Sequence, residues 1–265
     1  MQNSYSFKKA SKRNGIAELK KTWLKSLTGP QDGMWESFRD HSTHWEIRNA
    51  GDLIGYACVN EEHELLQFYL RPRYLSQGAK IFQKYLADTG IHRGIVGTNN
   101  PVYLSLALIF AQEVGIHTYL FRAGFEVDIH EKEGVLKVCQ QEDIERIVAF
   151  CHYSIHAPVD WLNGYISGLV AKAEIFVFEH EDNILGTCEV RSSQTAPAFA
   201  DIGMIVSPEF RKQGYGTYLL SRAKQIAKER QKEPICSCEK DNLGSFKSIS
   251  NCGFISMHQL LAIDF

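Results

Sequence analysis

The sequence predicts an α/β protein built from two related domains in tandem. Three observations carry that expectation. Apolar periodicity switches repeatedly between two and about 3.6 residues along the chain. The order of the resulting elements in residues 1–130 recurs in residues 131–265, and one short string occurs at equivalent places in both halves. With 265 residues, 44% of them hydrophobic, and 20 glycines, the chain can fill one or two cores at about 100–200 residues per domain.

In the first half, a strand near Tyr5–Lys9 precedes a helix with Ile16, Leu19, Trp23 and Leu27 on one face, and a short helix around Met34–Phe38. Strands follow at His44–Arg48, Leu53–Val59 and Leu65–Leu70, where β-branched and aromatic residues concentrate. A loop then leads into a helix through Ile81, Phe82 and Leu86. A strand at Ile95–Thr98, a helix at Leu104–Val114 and strands near Ile116–Phe121 and Phe125–Ile129 complete the half. The polar stretch Glu126–Gly134 marks the boundary, giving domains 1–130 and 131–265.

The second half opens with a strand at Gly134–Cys139. Glu142-Asp143 then starts a helix through Ile144, Ile147, Val148 and Cys151, acidic residues being favoured at a helix N-terminus. Pro158 starts another through Trp161, Tyr165, Ile166 and Leu169. Ile175–Phe178 and Leu185–Val190 read as strands joined by the turn Glu181-Asp182-Asn183. A strand from Ala200 to Val206 ends at Ser207-Pro208-Glu209. A loop containing glycines leads into a helix with Leu219, Leu220, Ala223, Ile226 and Ala227 inward. Pro234 precedes a strand at Ile235–Glu239, then come a short helix from Asn242 and strands near Phe254–Met257 and Leu261–Phe265. The string Pro72-Arg73-Tyr74-Leu75-Ser76-Gln77-Gly78 lies 136 residues before Pro208-Glu209-Phe210-Arg211-Lys212-Gln213-Gly214. Proline, an aromatic two places on and a terminal Gln-Gly coincide, each copy after a strand and before a helix.

Composition excludes several classes. The 29 basic and 31 acidic residues leave a net charge of −2, so no broad basic field favours nucleic acid. No run of 18 apolar residues offers a membrane span, and Met1–Lys9 lacks the apolar core of a signal peptide. A soluble cytosolic protein is expected. The seven cysteines are scattered and odd in number, and the Cys236-Ser237-Cys238 pair has no second C-x-x-C or H-x₃-H to complete a metal site. They read as small buried hydrophobes, and no metal is expected.

Arg211-Lys212-Gln213-Gly214-Tyr215-Gly216 has the form R/Q-x-x-G-x-G between a strand and a helix. Glycines allow a sharp turn and close backbone approach, and the first N–H groups of a helix point outward without partners. Those amides, the helix dipole and the basic Arg211 and Lys212 suit a pyrophosphate. A Walker loop needs G-x-x-x-x-G-K-[ST], and a dinucleotide fingerprint needs a third glycine in a parallel βαβ unit; neither is present.

The stretch from Asp201 through Pro208, Arg211, Gly214 and Gly216 to Leu220, followed by Asn242, Ser245, Ser248, Gly253 and Phe254, resembles the GCN5-related N-acetyltransferases. The resemblance is strong over residues 175–265 and extends in element order over about 132–265. It implies two tandem domains of this fold, each a mixed, mostly antiparallel sheet flanked by helices, and acetyl-CoA as co-substrate. In such enzymes the strand before the loop splays from its neighbour and pairs with the pantetheine arm as an added strand would. That assigns Met204, Ile205 and Val206 to pantetheine. Arg211, Lys212, Gln213, Gly214, Tyr215, Gly216 and Thr217 fall to the pyrophosphate, and Asn242 and Ser245 to the pantetheine or the thioester end.

Acetyl transfer needs a neutral amine, a polarised carbonyl and a protonated leaving thiolate. The family often supplies the acid from a tyrosine seven residues after the helix asparagine, but Ile249 stands there. Ser248 or water would replace it. Asp201 and Glu189 are the candidate bases. The acceptor class implied is a primary amine of a small molecule or peptide; the alternative, favoured by Ile249, is a non-catalytic acyl-CoA-binding or regulatory protein. In the first copy Leu75, Ser76, Ala79 and Lys80 replace Arg211, Lys212, Tyr215 and Gly216, while Val102 and Ser105 fall at the spacing of Asn242 and Ser245. That copy is expected to bind no CoA and to pack against the second, shaping its acceptor cleft.

Overall fold

The structure, a computed structural model, describes residues 4–11, 14–181 and 183–265; Met1–Asn3 and the predicted turn residue Asp182 lie outside the described residues. In chain order the first elements are β1 (Tyr5–Lys9), α1 (Asn14–Leu24), α2 (Gly33–His41), β2 (Thr43–Asn49), β3 (Asp52–Val59), β4 (Leu65–Leu70), α3 (Gly78–Thr89), β5 (Arg93–Gly97), α4 (Pro101–Ile109) and β6 (Glu113–Ala123). They are followed by β7 (Val135–Val138), α5 (Ile144–Ile155), α6 (Val159–Ala171), β8 (Ile175–His180), β9 (Asn183–Ser192), β10 (Phe199–Val206), α7 (Tyr215–Glu229), β11 (Glu233–Glu239), α8 (Leu243–Asn251) and β12 (Phe254–Asp264). Two compact units result: Met1–Tyr119 with His258–Phe265, and Leu120–Met257.

In the first unit the strands run β1-β2-β3-β4-β5-β12, antiparallel except for the parallel β4–β5 contact. Its core is aromatic. Phe68 and Phe82 meet edge to face at 4.8 Å, and Phe265 meets Phe82 in the same way at 5.5 Å, the arrangement the ring quadrupoles favour. Trp23, Phe68, Tyr69 and Tyr85 are all buried, whereas Trp35 and Trp45 are only partly so.

The last eight residues are integral to this unit. Leu260–Asp264 pair with β5 over five residue pairs, and Ile263 is fully buried. Burying Leu260 and Ile263 contributes about 1.5–3 kcal/mol per side chain, a large share of a typical stability of about 5–15 kcal/mol. Deleting residues 258–265 should therefore strip hydrogen-exchange protection from β5 while α5 and β8 keep theirs. Unchanged protection of β5 would refute this.

In the second unit the order is β7-β8-β9-β10-β11-β6, with β7 to β10 antiparallel and β10–β11 parallel. Helices α5 and α6 cover one face, where Ile147, Val148, Cys151, Leu162, Ile166 and Leu169 pack on Ile175 and Val177. Helix α7 covers the other and meets α8. A capping box between Gln140 and Asp143 leads into α5 through a short 3₁₀ turn, satisfying amides that the helix cannot.

Four element-level expectations change. Phe125–Ile129 is not a strand: the Gly124 and Phe125 N–H groups both donate to the Gly253 carbonyl, at 2.9 and 3.1 Å, and the chain leaves the ladder there. The two terminal strands are one, β12, because no turn residue interrupts Met257–Leu261. Helix α4 stops at Ile109, where the Phe110 N–H closes on the Ala107 carbonyl, so Glu113 and Val114 begin β6. Helix α1 ends at Leu24, leaving Leu27 beyond it.

Candidate active site

Strand β10 pairs with β9 along its whole length, from Ala200↔Ser192 to Val206↔Gly186. Its parallel ladder with β11 is short: Phe199↔Glu233, Ala200↔Pro234 and Asp201↔Ile235. Beyond Asp201 the two strands part, and Ile202–Val206 present an open backbone edge. Gly203, Met204 and Ile205 are only partly buried. An unpaired strand edge is a template for another extended chain, which suits the expected pantetheine contacts of Met204, Ile205 and Val206.

The fork leads straight into the glycine loop. A 3₁₀ turn at Pro208–Phe210 ends at Arg211, Lys212 adopts φ +61°, and Gly214 caps α7 at φ +87°, a left-handed conformation that glycine reaches without strain. Having no side chain, Gly214 makes no capping bond. The first turn of α7 closes from the Tyr218 N–H to the Gly214 carbonyl at 3.0 Å. The amides of Tyr215, Gly216 and Thr217 therefore belong to the set that a helix leaves without intrahelical acceptors. Gly216 packs closely: a Cβ there would lie 3.0 Å from Ser248 Oγ and 3.4 Å from Met204 Cε.

The side chains around the loop depart from the simple basic rim. Arg211 donates through Nη2 to the Ser154 carbonyl at 2.5 Å and through Nε to the Val206 carbonyl at 3.3 Å, tying the loop to the end of α5. Lys132, which sequence reasoning passed over in the polar boundary stretch, donates to the Gln213 carbonyl at 3.0 Å and lies 5.2 Å from the Tyr215 ring centre. Its ammonium is 3.6 Å from where a Gly214 Cβ would stand, so Lys132 and the exposed Lys212 place positive charge over the turn. Gln213 Nε2 donates to the Glu209 carbonyl at 3.0 Å.

Helix α8 lies beside α7. Asn242 is its N-cap, with Oδ1 accepting the Ser245 N–H at 3.0 Å. Ser248 borders Gly216, whereas Ile249, at the position of the family's tyrosine, is buried in the core at 2% exposure.

The two carboxylates differ sharply. Asp201 sits at the last ladder pair of the fork and is 2% exposed. Glu189 faces Gly203, two residues past the fork, and its side chain remains 20% exposed. A Cβ on Gly203 would come within 2.8 Å of Glu189 Oε1, so the glycine leaves the carboxylate room over the open strand. Glu189 Oε1 meets Arg191 Nε at 3.2 Å, and Oε2 accepts from the Tyr165 hydroxyl at 2.6 Å. Burial, with the Glu189 charge beside it, pushes the Tyr165 phenol far above its usual range, so it stays a donor at every working pH.

Residues 12–124 match the family model described as an acetyltransferase (GNAT) domain, and residues 142–254 match that of the acetyltransferase (GNAT) family. The chain belongs to the GCN5-related N-acetyltransferase superfamily. Among solved structures, a GNAT-family acetyltransferase from Colwellia psychrerythraea is 26% identical, with 98% of this chain and 99% of that one covered and a TM-score of 0.93. A GCN5-related N-acetyltransferase from Sphaerobacter thermophilus (13% identity, 97% and 94% covered, TM-score 0.67) shares the fold. So does a tandem GNAT protein from the clavulanic acid biosynthesis pathway (13% identity, 98% and 97% covered, TM-score 0.63). No curated protein matches the sequence.

The first GNAT unit keeps the outline of this site but fills it. Its β4–β5 ladder is a single pair, Leu65↔Gly94, yet every residue of β4 is buried. A 3₁₀ helix over Pro72–Gln77 runs directly into α3, and Gly78 is right-handed at φ −54°, its N–H bonded to the Leu75 carbonyl. Where the second unit opens a turn, the first spends its amides on internal bonds. The N-cap of α4 is Asn100, two residues earlier than the spacing of Val102 suggests, and Tyr103 thus answers to Ser245. Asn100 Nδ2 donates to Gln67 Oε1 at 3.3 Å, and the Tyr103 hydroxyl donates to the Leu65 carbonyl at 2.7 Å. Gly78, which answers to Gly214, packs against Leu106, 3.1 Å from where a Cβ would stand.

Members of this superfamily use acetyl-CoA, and the second unit's residues fit it. Among the described residues no cluster of His, Cys, Asp and Glu could hold a metal ion, and no helix is long and apolar enough to cross a membrane.

Proposed function

We propose that the second unit transfers an acetyl group from acetyl-CoA to a primary amine of a small molecule or peptide. The observation that carries this reading is the fork of β10 from β11 at Asp201, opening directly onto an α7 N-terminus that has no side-chain cap. The acetyl-CoA, when bound, supplies the acetyl group as a thioester. Met204, Ile205 and Val206 offer their backbone to its arm, and the amides of Tyr215, Gly216 and Thr217, with Lys132 and Lys212, face its pyrophosphate. Backbone N–H groups of the open strand polarise the carbonyl. Glu189, accessible and past the fork, accepts the amine proton directly or through water, while Asp201 at the fork is too buried to meet substrate. Ser248 or solvent protonates the departing thiolate.

A second reading rests on Ile249. An apolar residue in place of the family's acid suits a protein that binds acyl-CoA without turnover. Release of CoA from acetyl-CoA across a panel of primary amines and lysine peptides decides between them: turnover on any acceptor supports transfer, and tight binding with turnover on none leaves the regulatory reading.

Only one CoA should bind per chain. The first unit's equivalent cleft is occupied by Tyr103, Asn100 and Gln67, and its loop amides are used internally. Calorimetric titration should give a stoichiometry near one, abolished by Gly214→Asp; a site that survives this substitution would mean that the first unit binds as well.

A further inference from the structure

Trp161 is poorly explained by the fold. It lies on α6, one turn before Tyr165, and its ring stacks on the Tyr165 ring at 4.7 Å with 13° between planes. Its outer face is open, leaving the residue 46% exposed. Large aromatics are costly to leave in water, and this one has company: Tyr153, Ile155 and Val159, along the α5–α6 connection, are also exposed. The inner face of the stack leads to chemistry, since the Tyr165 hydroxyl donates to Glu189 Oε2.

We propose that Trp161, Tyr165 and Glu189 form the acceptor subsite, selecting a primary amine carried on a flat apolar body. This deepens the acetyl-transfer reading and rests on it for the identity of the second substrate. Trp161 offers the ring face on which such a body stacks, and Glu189 receives the ammonium. Tyr165 is the positioning residue: one side chain supports the platform through its ring and orients the carboxylate through its hydroxyl. The site departs from the first unit at the same helical places. Counted from the α2 N-cap Asp32 and the α6 N-cap Pro158, Trp35 answers to Trp161, but Arg39 answers to Tyr165. By strand register, Cys58 opposite Gln67 answers to Glu189 opposite Gly203. A guanidinium and a thiol thus stand where the second unit sets a hydroxyl and a carboxylate, so the carboxylate that would receive an ammonium is missing from that place in the first unit.

The charged and titratable groups facing Glu189 come from three neighbouring elements and its own. They are Tyr165 from α6, Cys151 from α5, Asp201 from β10 through its effect on Tyr165, and Arg191 and Cys188 from β9. Burial pushes the Cys151 thiol up to about 12, so it stays neutral, and Tyr165 and Arg191 are the groups that hold the Glu189 carboxylate in place. Removing the Tyr165 hydroxyl takes away the donor at Glu189 Oε2, so the carboxylate is less well oriented toward the amine.

The test uses the full chain saturated with CoA or acetyl-CoA, with 2-phenylethylamine and n-propylamine as probes. Binding is read by calorimetry and transfer by CoA release. The wild type should prefer 2-phenylethylamine, in both binding and kcat/KM. Trp161→Ala should raise Kd and KM for 2-phenylethylamine about three- to tenfold, the range expected for one aromatic stack, and leave n-propylamine unchanged. Tyr165→Phe keeps the ring and should lower kcat for both amines while leaving the Kd for 2-phenylethylamine and the CoA affinity intact. Equal effects of Trp161→Ala on both probes, or an unchanged kcat in Tyr165→Phe, would overturn the subsite. If 2-phenylethylamine binds through Trp161 but no amine is acetylated, the subsite stands and the transferase reading fails. If lysine peptides are acetylated while neither probe binds, transferase activity stands and the subsite fails.

Discussion

Gly214→Asp and Gly216→Asp are each expected to lower CoA affinity by about 10²–10³, since juxtaposing like charges costs several kcal/mol and each 1.4 kcal/mol is tenfold. The reasons differ at the two positions. Gly214 stands at φ +87° beneath the Lys132 ammonium, so an aspartate there puts a carboxylate at the mouth of α7 and draws Lys132 away from its ligand. The left-handed backbone adds about 1–2 kcal/mol of strain for a residue with a Cβ. At Gly216 a Cβ would press on Ser248 Oγ at 3.0 Å and Met204 Cε at 3.4 Å. Both are ends of movable side chains, so the fold should survive in each variant. Calorimetry with CoA measures the loss, and circular dichroism confirms that the chain remains folded. Wild-type affinity in both variants would show that the loop does not hold the pyrophosphate.

Glu189→Gln is expected to depress turnover by about 10²–10⁴ with CoA affinity nearly intact, the range for a positioned general base. The amide keeps the size of the side chain and one acceptor for Tyr165, so the effect is chemical rather than architectural. The loss should shrink as pH rises. A substrate amine with a pKa near ~10 is overwhelmingly protonated at neutral pH, but it arrives increasingly neutral in alkali. Asp201→Asn should behave differently: its site is 2% exposed, and replacing the carboxylate should cost thermal stability without a rescue at high pH. Ser248→Ala should be milder than Glu189→Gln, because solvent can protonate the thiolate instead. Parallel pH–rate profiles for the wild type and Glu189→Gln would remove Glu189 as the base, and the amine would then bind neutral or lose its proton along water.

Much of the fold was legible because it is written locally. The short apolar runs Leu65–Leu70 and Ala200–Val206, the three- and four-residue spacing of Leu219, Ala223 and Ile226, and the Asn242 cap each depend on near neighbours. The recurrence of Pro-x-aromatic followed by Gln-Gly exposed the tandem, and the glycines at 214 and 216 marked the loop, since few other residues meet such backbone demands. The function of Arg211 was not legible, because its sequence position gives charge but no direction. In the fold that charge turns back onto the Ser154 and Val206 carbonyls, and Lys132, distant in sequence, takes its place at the loop.

The sequence by itself determined the tandem, the strand–loop–helix at the second unit's glycines and the loss of that loop in the first, all properties of short segments whose backbone preferences are intrinsic. Tertiary structure alone decided the rest. It made one strand of Phe254–Asp264 and gave its end to the first unit, it parted β10 from β11 at Asp201, and it brought Tyr165 within 2.6 Å of a carboxylate 24 residues away. Each of these depends on which surfaces pack and which ladder partners are available at long range. Those contacts are set by burying apolar faces together, a property of the folded whole that no window of sequence contains.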